Sequence, residues 1–228
     1  MTTAPKTTAP VTTTPGGTPG PDLPGTAPAI RSDLRRIADW VAPGARVLDV
    51  GCGEGELLHH LVRAKGVDGR GLELSMDGVR RSVGHGLSVI QGDADTDLKD
   101  YPTAAFDYVI LSQTLQATRR PREVLEQLVR IGTHAIVSVP NFGYWRLRLA
   151  LLLRGRMPVT DRLGYQWWDT PNIHFCTLAD FTTLCRDLSI RIERSAILGA
   201  QGREIPAAAD SGPSNWFGEQ GLFLLRRG

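Results

Sequence analysis

Cysteine is scarce: the chain holds three, Cys52, Cys176 and Cys185, none in CxxC spacing. An odd, scattered set builds neither a disulfide framework nor a zinc site, so reduced thiols in a cytoplasmic protein are expected. Long apolar runs are missing as well. The longest, Leu149 to Leu153, falls far short of the roughly 20 residues that cross a bilayer, and no signal-peptide core follows Met1. No membrane span is expected. An excess of one charge sign is also lacking: 26 Lys and Arg against 24 Asp and Glu leave +2. That is too weak a field to gather nucleic acid or an anionic surface unaided.

Proline and threonine are unevenly spread. Residues Met1–Pro28 hold 7 of the 15 prolines and nine threonines, with almost nothing to bury against the entropy of ordering a backbone. A disordered tail is expected there. The remaining 200 residues, 29–228, suffice for one domain with its own core. Within it, apolar residues recur at helical spacing from Arg31 to Val41 until Pro43 and Gly44 break the pattern. Strands near 46–50, 69–74, 87–91, 106–111 and 134–139 then alternate with helices near 54–65, 77–83 and 122–131. This alternation predicts a mainly parallel α/β sheet covered on both faces. The rhythm fails after a helix over 178–188. Strands 190–197 and 222–226 are separated by a Gly/Pro/Ala-rich segment with no clear helix, and two strands without a crossover helix should pair antiparallel.

The chemistry concentrates in Val47-Leu48-Asp49-Val50-Gly51-Cys52-Gly53-Glu54-Gly55, an apolar strand running into alternating glycines at a helix N-terminus. Such glycines let a ligand approach main-chain N–H groups closely. The dinucleotide fingerprint GxGxxG fails, because Glu56 stands where its third glycine belongs. A diphosphate would meet carboxylates at Asp49, Glu54 and Glu56, whereas a ligand carrying an amine and a sulfonium would be attracted by them. Charge therefore favours S-adenosylmethionine over a nicotinamide dinucleotide, with S-adenosylhomocysteine, which keeps the amine but lacks the sulfonium, as the alternative occupant. Glu73, 24 residues after Asp49, ends the second strand, where a carboxylate can accept from both ribose hydroxyls. Asp93 follows the third strand, where it can accept from an adenine amino group.

With these residues in place the chain resembles the class I S-adenosylmethionine-dependent methyltransferases from about Arg31 onward, and more narrowly the MetW family of methionine biosynthesis proteins. The narrower resemblance rests on the glycine motif, on Val109-Ile110-Leu111-Ser112-Gln113-Thr114-Leu115-Gln116 and on Pro140-Asn141-Phe142-Gly143-Tyr144-Trp145-Arg146. It continues in Leu153-Arg154-Gly155-Arg156-Met157-Pro158-Val159-Thr160 and Trp168-Asp169-Thr170-Pro171-Asn172-Ile173-His174. It implies a Rossmann-like, seven-stranded methyltransferase fold whose last strand is antiparallel. It also implies a place beside homoserine O-acyltransferase, whose activity such proteins are thought to support. Carried over by position, it puts Asp49, Gly51, Cys52 and Gly53 at the methionyl end of the cofactor and Glu73 at the ribose with Leu74 beside it. Asp93 and Ala94 fall at the adenine, and Leu111 closes the site from the fourth strand.

Methyl transfer to an acceptor is the alternative activity, and it asks for positioning and in some cases a base. The candidate base is His174, in a turn-rich loop with Tyr165, Trp167 and Trp168 just upstream; the plainer reading is a structural histidine. Cys52 lacks a histidine near it in sequence and reads as a small packed residue. A further feature is Tyr144–Met157, five leucines bracketed by Arg146, Arg148, Arg154 and Arg156. Such a basic amphipathic helix can cover its own core, meet a partner or a second copy, or lie in a membrane interface.

Overall fold

The structure, a computed structural model, describes residues 30–159 and 165–228; the expected tail lies outside the described residues. Eight strands form one sheet in the order β3-β2-β1-β4-β5-β8-β6-β7. They are β1 (Arg46–Val50), β2 (Asp68–Glu73), β3 (Ser88–Gln91), β4 (Phe106–Ser112), β5 (Gly132–Pro140), β6 (Ile190–Leu198), β7 (Glu204–Ile205) and β8 (Gln220–Arg227). The first five pair in parallel. β8 runs antiparallel to both β5 and β6, as the lost crossover helix predicts. The eighth strand is an addition to the expected seven: two residues of β7 zip onto the end of β6.

The central strands β1, β4, β5 and β8 are largely buried on both faces, and their residues alternate between two cores. Leu48 and Val50 of β1, Val109 and Leu111 of β4, and Phe223 and Leu225 of β8 face one core. Val47, Ile110 and Leu222 face the other. A period of two along a fully buried strand has this outcome. Helix α4 (Pro121–Ile131) fills the first core with Leu125 and Leu128, and α6 (Leu178–Asp187) with Phe181 and Cys185. Helices α1 (Ser32–Trp40) and α2 (Glu56–Lys65) fill the second with Leu34, Ile37, Leu57 and Leu61. Each such leucine contributes about 1.5–3 kcal/mol by leaving water.

Local signals set the helix ends. Lys65 at the end of α2 donates to the Ala38 and Val41 carbonyls at 2.5 and 2.6 Å, satisfying the C-terminus of α1. Helix α6 starts at a reciprocal cap: the Thr177 side chain accepts from the Asp180 N–H, and the Asp180 carboxylate accepts from the Thr177 N–H. Helices α3 (Met76–Gly84), α5 (Trp145–Arg154) and the short α7 (Gly212–Phe217) complete the set. The expectation of no helix between the last strands is corrected by α7, a six-residue helix capped by the Ser211 side chain. Its brevity and its Gly-Pro start hide it from periodicity.

Candidate functional site

The chain runs from β1 outward to β2 and β3, then returns to β4 on the other side of β1. The crevice at such a reversal, at the carboxyl ends of the strands, is where open α/β sheets take ligands. Asp49 is the penultimate residue of β1, Glu73 ends β2, and Asp93 lies two residues past β3. The structure thus brings the three predicted acids to the carboxyl ends of three neighbouring strands.

The turn after β1 depends on left-handed glycines. Gly51, Gly53 and Gly55 all have positive φ. A Cβ on Gly51 would lie 2.9 Å from Thr114 Oγ1, and one on Gly55 would run into Leu87 and Ser82. At Gly53, by contrast, a Cβ would meet nothing within 4 Å, so the main chain there faces open space, as a ligand-approach loop requires. The Gly51 and Cys52 N–H groups both donate to the Leu72 carbonyl, at 2.7 and 3.3 Å, extending the β1–β2 ladder into the turn.

Glu73 holds the turn to β2. Its Oε2 accepts from the Gly53 N–H at 2.7 Å and its Oε1 from the Ser75 N–H at 2.8 Å. Each oxygen keeps a second lone pair, enough for two ribose hydroxyls. Asp49 is in a different position: only 2% exposed, its carboxylate has no hydrogen-bond partner among the described residues. Burial, reinforced by the nearby Glu73 charge, pushes its carboxyl up to about 7. A buried carboxylate left without a cation fits a ligand that brings one. Burial first, then the charges of Asp49 and Glu73, push the Cys52 thiol up to about 12. A thiol held protonated in this way is a poor nucleophile.

Past β3, Asp93 Oδ1 accepts from the Asp95 N–H at 2.9 Å, and the Asp93 N–H donates to Asp97 Oδ2 at 2.9 Å. Asp95 in turn accepts from the Arg119 and Arg120 N–H groups at 2.8 and 2.9 Å, fastening this loop to the start of α4. Ala94 packs against the first core. Leu74 is exposed at the tip of β2, while Leu111 is wholly buried between β1 and β5. Two of the acids in the charge argument are engaged elsewhere: Glu54 pairs with Arg81, and Glu56 accepts from the Arg31 N–H at 3.3 Å.

Three contributors escaped the sequence reading. Ser82, fully buried in α3, donates to the Gly53 carbonyl at 3.1 Å. A Cβ on Gly78 would press on Glu73 and on the Gly53 carbonyl, both at 2.9 Å, so this glycine lets α3 approach the turn. A glycine inside a helix, costing about 1 kcal/mol relative to alanine, was the available signal. The third is Gln116, buried, whose Nε2 donates to the Gln113 carbonyl at 2.7 Å and to Asn172 Oδ1 at 3.1 Å.

Gln116 also receives the predicted base by its main chain: the His174 N–H donates to the Gln116 carbonyl at 3.0 Å. The His174 side chain is exposed and has no orienting carboxylate among the described residues. Its loop meets α5 to form an open-mouthed pocket of about 310 Å³, lined among others by Phe142, Leu147, Leu151, Tyr165, Trp167 and Phe175. Tyr165 and Trp167 line this pocket, whereas Trp168 and His174 are not among its lining. Behind it, the buried Asn141 side chain donates to the Asn215 and Gly218 carbonyls at 2.9 and 2.7 Å. It accepts from the Gly143 and Leu178 N–H groups at 2.9 and 3.3 Å. One side chain thereby ties together the end of β5, α6 and α7.

Comparison with known proteins agrees with this fold. A protein of Rhodopirellula baltica described as a bifunctional methionine biosynthesis protein MetXA/MetW is 34% identical over 196 residues, covering 79% of this chain and 32% of that protein. The chain spans 32% to 53% of the length of the curated relatives it matches. Among solved structures, a SAM-dependent methyltransferase of Archaeoglobus fulgidus superposes with a TM-score of 0.62 at 17% identity, covering 86% of this chain and 92% of that one. An S-adenosylmethionine-dependent methyltransferase of Mesorhizobium loti gives 0.61 at 18% identity, covering 86% and 96%. At such identities the likeness establishes a Rossmann-like methyltransferase fold and no more. The profile of the family described as methionine biosynthesis protein MetW matches residues 31–225, and the chain belongs to that family.

Proposed function

We propose that this protein binds S-adenosylmethionine at the β1–β2–β3 edge and supports or regulates a MetX-type homoserine O-acyltransferase. The observation that carries the first half is Asp49, a carboxylate buried at the tip of β1 with no counter-charge, beside a turn of bare main chain. The cationic methionyl end supplies the missing charge. In this reading Gly51, Cys52 and Gly53 bound the methionyl group, Glu73 accepts from the ribose with Leu74 beside it, and Asp93 and Ala94 face the adenine. Asp95 and Asp97 hold the adenine loop in shape through the main-chain bonds described above. The second half is supported by the relative in which MetXA and MetW share one chain.

Fixing a positive ligand over Asp49 removes the cost of its burial and locks the glycine turn that α3 and Glu73 brace. Ligand occupancy is thus coupled to local order at this edge, and sensing the pathway's downstream product follows. The test is titration with S-adenosylmethionine by calorimetry, followed by an acyltransferase assay with and without this protein at each ligand level. Binding together with a ligand-dependent change in acyltransferase rate is expected. Preferential binding of a nicotinamide dinucleotide, or no change in rate, overturns the reading. Formation of S-adenosylhomocysteine with a defined small-molecule acceptor would replace it with methyl transfer, and loss of that turnover in His174→Ala would be needed to make His174 its base.

A further inference from the structure

Helix α5 turns most of its apolar side chains away from the protein. It carries five leucines, of which only Leu147 is buried. Leu147 and Leu151, four residues apart, share the face that lines the pocket. Leu149, Leu152 and Leu153 fall at i, i+3 and i+4 on the opposite face, and Leu152 and Leu153 are 80% and 73% exposed. Scattered exposed leucines need no explanation, but a three-leucine helix face marks a surface that something covers.

Charge narrows what that something is. Between Tyr144 and Val159 the sequence has four arginines and no carboxylate. Arg148 is committed within the fold, its guanidinium 4.7 Å from the Trp216 ring and bonded to the Gly143 carbonyl. Arg146, Arg154 and Arg156 remain exposed around the leucines. The complement of this face is an apolar patch rimmed by carboxylates. The Rhodopirellula baltica relative joins a MetXA part and a MetW part in one chain, which holds the two at high effective concentration.

We infer that the outer face of α5, Leu149, Leu152 and Leu153 within Arg146, Arg154 and Arg156, docks on an acid-rimmed apolar patch of the homoserine O-acyltransferase. The inference rests on the function proposed above and adds to it the surface that mediates it. The leucines supply the buried centre and the arginines the rim, which steers encounter and makes association salt-dependent.

The test measures binding of the purified protein to the purified acyltransferase of the same organism, at low and at high salt. Leu152→Asp with Leu153→Asp should weaken it by about tenfold or more. Arg154→Glu with Arg156→Glu should weaken it at low salt and flatten its salt dependence. In all variants, S-adenosylmethionine affinity and melting temperature should match the wild type, since these side chains touch neither the core nor the ligand edge. Unchanged acyltransferase affinity in the leucine variant overturns the docking surface while leaving the proposed function standing. A wild-type protein that neither binds the acyltransferase nor alters its rate sinks both. Self-association, or binding to phosphatidylglycerol vesicles, that is lost in the leucine variant while acyltransferase affinity persists assigns the face to a second copy or to a membrane, and the inference fails.

Discussion

The β1–β2–β3 edge and the α5 region handle their awkward groups in opposite ways. At the sheet edge, polar atoms are turned inward and fixed: Glu73 accepts two main-chain N–H groups, Ser82 braces Gly53, and Asp49 is buried with its charge unmatched. Around α5, apolar side chains are turned outward and left in water. A small cationic ligand needs a cradle built beforehand, because its few contacts must all be in place. A macromolecular partner needs an offered surface, because it brings area enough to cover it.

The sharpest way to break this contrast is at Asp49. Asp49→Ala should weaken S-adenosylmethionine binding by about 3 kcal/mol, as it leaves the ligand's cationic end without its counter-charge; calorimetry reads this directly. The same carboxylate sets a pH dependence. Its folded value, raised from 3.8 to about 7, means the folded state keeps a proton that the unfolded chain gives up. Stability of the free protein is therefore full below the unfolded value and is lost as pH rises through that window. A cationic ligand reverses the preference. Binding below about pH 7 must expel the proton, and affinity should fall by up to tenfold per pH unit there. Calorimetry in buffers of different ionisation enthalpy should show proton release at about pH 6 and almost none near pH 8.5.

The scaffold between the two regions comes next. Asn141→Ala leaves two carbonyls and two N–H groups without their shared partner, and should cost about 2–3 kcal/mol of stability in denaturant unfolding. Because Asn141 ties β5 to α6 and α7, the α5 segment should gain hydrogen exchange while β1 to β3 do not. Glu73→Ala should weaken ligand binding by about 2 kcal/mol through lost charge-assisted bonds; unchanged affinity removes Glu73 from the ribose. The smallest effect is expected at Gly53→Ala, where no neighbour is struck. Only the left-handed backbone is penalised, by about 1–2 kcal/mol of stability, and affinity should drop because the methyl group fills the open space over the turn.

The candidate ligand edge was visible in the sequence as a motif because its determinants are local. An apolar strand, alternating glycines and an acid at each strand end announce themselves within a few residues, and the observed β1 matches the predicted 46–50. What stayed hidden came from contacts between distant segments. Gly78 and Ser82 matter only because α3 lies against the glycine turn, and Glu54 left the charge argument only because Arg81 comes round to meet it. Helix α7 was missed because six residues carry too little periodicity to be seen.

By itself the sequence determined the order of strands and helices up to β6, the antiparallel return of the chain and the three acids of the candidate ligand edge, since hydrophobic period and turn chemistry act over short distances. Only the tertiary structure decided which of those acids lacks a partner and which leucines of α5 face water. Burial and charge pairing belong to the space between elements, and no stretch of chain contains that space alone.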